Sequence, residues 1–150
     1  MKVLCLAALT AFGAFTSLCY AQDKDDRIPV RVTAECEGDL VGERLVYRTR
    51  EEVRSSRRMK EETDYIQSVV QVRFLCLDPR PEDAGVLTKY SYVITAMNTG
   101  GTYDYLVGSV VGECGSSRVT SCAEGVVAKI DNALDDLIET VRKGQLKFKE

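Results

Sequence analysis

Apolar and polar residues alternate strictly through PVRVTAEC (29–36). Val30, Val32, Ala34 and Cys36 fall on one face, with Arg31, Thr33 and Glu35 on the other. Period-two alternation marks a strand with one buried side. The pattern returns in VVQVRFLCL (69–77), where Val70, Val72, Phe74 and Cys76 share a face, so each run ends on an inward cysteine. Between them the period lengthens. Val41, Leu45, Thr49 and Val53 recur every four residues behind Asp39, a good N-cap, and acids (Asp39, Glu43) precede arginines (Arg54, Arg57, Arg58). Caps and charges in that order favour a helix. RMKEET (58–63) fits a short edge strand.

KYSYVITAM (89–97) and TYDYLVGSVV (102–111) flank NTGG and predict a hairpin. With an even loop, Tyr90, Tyr92 and Ile94 share a face with Tyr103, Tyr105 and Val107. Val93, Met97, Leu106 and Val110 then lie opposite, beside Leu75 and Leu77 of the preceding strand. A last amphipathic helix carries Val119, Ala123, Val126, Val127, Ile130, Leu134, Leu137, Ile138 and Val141 inward, and Gly144 ends it before a short charged tail. The order is β-α-β-β-β-β-α, an α+β fold in one domain (22–150). Two helices are expected on one face of a mixed or antiparallel sheet. Because two helices cover only one face, Tyr90, Tyr92, Tyr103, Tyr105, Val93 and Leu106 of the hairpin become candidate partner contacts.

The chain opens with Lys2, an apolar run from Val3 to about Phe15, and small residues leading to Ala21, followed by the charged QDKDDR. That is the layout of a secretory signal cut after Ala21, and 1–21 are read so. Four of the six cysteines remain beyond it, Cys36, Cys76, Cys114 and Cys122. An even number in an exported chain reads as two disulfides. The two similar strand ends suggest Cys36–Cys76, and Cys114–Cys122 are then joined locally.

Composition narrows the chemistry. With no histidine, Ser-His and Cys-His nucleophile pairs and the usual imidazole metal sites are excluded. No C-x-x-C pair occurs, so neither a zinc site nor the common redox motif is written in the sequence, and neither metal nor cofactor is expected. Acids outnumber bases, 23 to 20, and the arginines of 44–58 are interleaved with glutamates, which disfavours nucleic acid. The acidic run DNALDD (131–136) lacks the glycine of a calcium loop and reads as a solvated helix face.

The stretch GECGSSRVTSC (112–122) reads as a stapled corner. Gly115 turns the chain, Ser116 or Ser117 caps the helix, and free N–H groups beside Arg118 offer a minor anion site.

The run CEGDLVGERLVYRTREEVRSSRRM, the FLCLDP strand, the tyrosine-rich hairpin and GECGSSRVTSCAEGV together resemble a group of small exported bacterial proteins. The element order is also similar to the N-terminal α/β domain of TolB-type periplasmic proteins, itself like anticodon-binding domains. The resemblance implies an envelope protein that works through contacts. Three functions are therefore expected in turn. The first is a non-enzymatic exported domain, periplasmic in a Gram-negative host, that binds a protein or another envelope component. The second is a secreted inhibitor or effector acting through the loop DPRPEDAG (78–85). The third is a small hydrolase using Glu35 and Glu37, which cluster with Asp39 where strand meets helix.

Overall fold

The computed structural model describes residues 25–79, 82, 85–97 and 104–143. The expected signal (1–21), the hairpin loop with Tyr103, part of the 78–85 loop and the tail from 144 lie outside the described residues.

Strand β1 (Ile28–Glu35) leads through a turn at Gly38, whose φ of 80° suits glycine, into helix α1 (Leu40–Ser55). Asp39 caps that helix by accepting a hydrogen bond from the Gly42 N–H at 2.8 Å. Its inward stripe is Val41, Leu45, Thr49 and Val53, and the Thr49 hydroxyl donates to the Leu45 carbonyl, which lets a polar group sit in the core. Then come β2 (Met59–Glu61), β3 (Val70–Leu77), β4 (Leu87–Met97) and β5 (Asp104–Gly115). A single 3-10 turn (Ser116–Arg118) passes into α2 (Val119–Arg142).

The sheet order is β2-β1-β3-β4-β5. β1 is parallel to both β2 and β3, while β4 runs antiparallel to β3 and to β5. The sheet is therefore mixed. β1, β3 and β5 point the same way, and both helices begin at their C-terminal ends. One face is closed by α1 and α2, where Val30, Val32, Val72, Phe74, Tyr92 and Ile94 meet Leu45, Val53, Val126 and Ile130 in a single core.

Two covalent staples hold that end. Cys36 joins Cys76, and Cys114 joins Cys122. Gly42 is the residue that lets α1 lie against the first of them: a Cβ there would stand 2.6 Å from the Cys76 Cβ.

Arginines of α1 and of the segment that follows it reach outward to other elements. Arg50 and Arg54 both pair with Glu61 of β2. Arg58 bridges to Asp131 at 2.9 Å and Asp135 at 2.6 Å on α2, so DNALDD is an anchor as well as a solvated face.

The last corner also departs from expectation. No side chain caps the 3-10 turn or α2, so neither Ser116 nor Ser117 serves as the cap. The Ser116 N–H is instead taken by the Val86 carbonyl at 2.9 Å. Gly115 has an ordinary extended backbone (φ −80°, ψ 151°), so no unusual dihedral demands glycine there.

Candidate binding surface on the open sheet face

The face away from the helices is built row by row across β3, β4 and β5. Leu75 stands opposite Ser91, which stands opposite Val111. In the next row Arg73, Val93 and Ser109 are aligned, and beyond the first Leu77, Lys89 and Glu113. Leu75 (56%), Leu77 (66%), Leu106 (69%) and Val111 (84%) are all exposed, with Val93 at 37%. Aliphatic side chains thus alternate with serines and with charges of both signs.

The surface has a defined border. The chain after β2 folds over the other end of the same face, where the Gln71 amide donates to the Met97 sulfur at 3.0 Å and is 2% exposed. Arg73 reaches the Gln71 Oε1 at 3.2 Å, and Arg31 lies 5.8 Å above the Tyr65 ring while donating to the Thr63 carbonyl. That end is closed over β1 and β3, which leaves Leu75, Leu77, Val93 and Val111 open, together with Leu106 at the β5 end of the Gln71 row.

The six hairpin candidates are divided by the structure. Val93 and Leu106 lie on the open face. Tyr92, at 1% exposure, is a core residue: its ring packs 5.1 Å from Phe74 and is stacked with Tyr90 at 6.2 Å. Burial pushes its phenol up to about 12 and raises that of the half-buried Tyr90 as well. Tyr105 pairs with Ala96, on the tyrosine side, and Tyr103 lies outside the described residues.

A register shift explains the one misassigned face. Ile94 pairs with Gly108 and Thr95 with Leu106, so Val107 is an extra residue in β5. Beyond it the alternation inverts. Val110 comes under the helices opposite Tyr92, and Val111 turns outward. Gly108 beside the bulge is the signal in the sequence that such an irregularity is near.

On the helix side, α2 leaves a cleft of about 500 Å³ against β4 and β5. Tyr90, Tyr92 and Val110 form its floor, and Arg118, Ser121, Gly125 and Lys129 line its helix wall. Gly112 makes the floor possible, because a Cβ there would stand 2.7 Å from the Tyr90 ring.

Most of the remaining candidates are exposed. Glu35 and Glu37 face solvent, while Asp39 is buried and holds both the Gly42 N–H and the Thr88 hydroxyl. Ser116, Ser117 and Arg118 are exposed on the 3-10 turn, with the Ser116 N–H committed and Arg118 lining the cleft. Among the described residues no three Cys, Asp or Glu side chains converge as metal ligands, and no helix is long and apolar enough to cross a membrane. In comparison with known proteins, no family model and no curated sequence matches the chain.

Proposed function

We propose that the protein is a non-enzymatic exported domain, periplasmic in a Gram-negative host, that binds another protein through the open half of its sheet. The observation that carries this reading is the set Leu75, Leu77, Val93, Leu106 and Val111, exposed together on one side of three strands. Exposed aliphatic side chains interleaved with polar groups on one face are what protein contacts use. The rim holds Arg73, Lys89 and Glu113, so both signs of charge are present, which fits a protein surface better than an anionic membrane. Two disulfides and the signal pattern of 1–21 support an oxidising, extracytoplasmic setting.

The test is photo-crosslinking in intact cells, with the reactive residue at Leu77 and a control at Arg48 on α1. Adducts to a heterologous protein from Leu77 and none from Arg48 are expected. Recovery of only uncrosslinked protein from both positions overturns the reading. Leu75→Ser in the chain that carries the reactive residue at Leu77 is to abolish the adduct while leaving the unfolding midpoint in place, since the Leu75 side chain is already exposed.

A further inference from the structure

The two edges of the sheet are built differently. β2 is three residues long and is held in charges, with Lys60 and Glu61 in the strand and Arg57, Arg58 and Glu62 beside it. Short, charged edges resist pairing with other chains. β5, at the opposite edge, runs for twelve residues with no proline and no basic residue, and its only charges are Asp104 and Glu113. Among the described residues no strand pairs with its outer side, and a long open edge is a template for another strand.

We infer that β5 pairs antiparallel with β5 of a second copy of this chain, joining two sheets into one of ten strands. The edge is self-complementary about Val110. A twofold axis there sets Ser109 against the second copy's Val111, Gly108 against Gly112, and Glu113 against Val107, so no like charges meet. Strand pairing alone is narrow, and a stable interface buries on the order of 1,200 Å² or more. The helices supply the rest at the level of the same cleft.

Gly125 lines the cleft together with Val110, and a Cβ at Gly125 would have nothing within 4 Å. A glycine in the interior of an exposed helix costs stability in the monomer and is not required by any contact within it. It gives the two α2 helices a place to approach, antiparallel across the axis. Glu124 then comes within a turn of the second copy's Lys129. The helices diverge beyond, because the far half of α2 runs toward Ile28 and Val69. On the open face, pairing brings Val93 and Val111 of each copy into one patch.

Sedimentation equilibrium of the oxidised full chain tests this, and a concentration-dependent dimer is expected. Ser109→Lys with Val111→Lys sets lysines against each other across the axis. Both residues are exposed, so the variant is to stay folded by circular dichroism, become monomeric, and exchange β5 amides about tenfold faster. In that monomeric background Gly125→Gln is to raise the unfolding midpoint by about 3 °C, while alone it weakens the dimer by about tenfold. A chain monomeric at every concentration overturns the inference, as does a dimer that neither variant weakens. The mass is read on the purified chain without any partner, and the Leu77 crosslink is read in cells as an adduct to a heterologous protein, which a second copy of this chain cannot supply, so each reading fails separately.

Discussion

The Asp39 carboxylate accepts a hydrogen bond from the Thr88 hydroxyl, 49 residues further along the chain, and both side chains are shut away from water. Through its other oxygen the same carboxylate holds the first turn of α1. Thr88 in turn stands opposite Cys114 on β5. One acidic side chain therefore ties the first helix to the strand beside the second disulfide.

Replacing Asp39 by alanine removes the cap and leaves the buried Thr88 hydroxyl only the Lys89 carbonyl at 3.3 Å. The expected loss is about 2–3 kcal/mol in urea unfolding, against about 1 kcal/mol for Asp39→Asn, which retains an acceptor for the Gly42 N–H.

Gly42→Ala places a methyl 2.6 Å from the Cys76 Cβ and 2.9 Å from its sulfur. Overpacking of a closed core costs about 1–3 kcal/mol. The variant is expected to melt earlier and, under limited oxidation, to retain more free thiol than the wild type.

The two disulfides close loops of very different length, with separations of 40 and 8 residues. Chain entropy then predicts losses of about 4 kcal/mol for Cys36→Ser with Cys76→Ser, and about 2.5 kcal/mol for Cys114→Ser with Cys122→Ser. Equal losses in chemical denaturation would count against a loop-entropy origin.

Tyr92 makes the fold sensitive to alkali. Its phenol ionises at about 10 in the unfolded chain and about 12 when folded, so between those values the unfolded state sheds the proton first. The stabilisation is complete below pH 10 and disappears as pH rises through 12. Tyr92→Phe, monitored by circular dichroism during alkaline titration, is expected to shift unfolding to higher pH.

Local patterns carried much of this structure because they report local physics. The alternation in 29–36 and 69–77 placed Cys36 and Cys76 on one face, and their pairing followed from neighbouring parallel strands. Asp39 was legible as a cap, and RMKEET as an edge strand, with Met59–Glu61 forming it. Val110 and Val111 were not, because one extra residue at Val107 inverts the alternation, and Gly108 marks an irregularity without saying which residue is the extra one. The reach of Arg58 to Asp131 and Asp135 was equally hidden, since ion pairs across elements depend on how helices lie together. For the binding surface, Leu75, Leu77, Val93 and Leu106 were visible as an apolar face opposite the tyrosines. The closing of its other half by Gln71, Met97 and Tyr65 was not.

Both disulfides sit where β1, β3 and β5 end and the helices begin. The opposite end, where Ile28, Met59 and Val70 lie, is fastened to α2 without covalent bonds, in part through Arg58. The Arg58 guanidinium holds the Asp135 carboxyl below its usual 3.8, so this fastening persists above that pH and is lost as acid protonates the folded carboxylate. The molecule thus has one covalently riveted end and one end held by the packing of Ile130, Leu134 and Leu137 with an exposed ion pair added. Acid removes the Arg58 pairing from the far half of α2, while reduction acts on the cysteines at its first turn. The two conditions therefore touch opposite ends of the same helix.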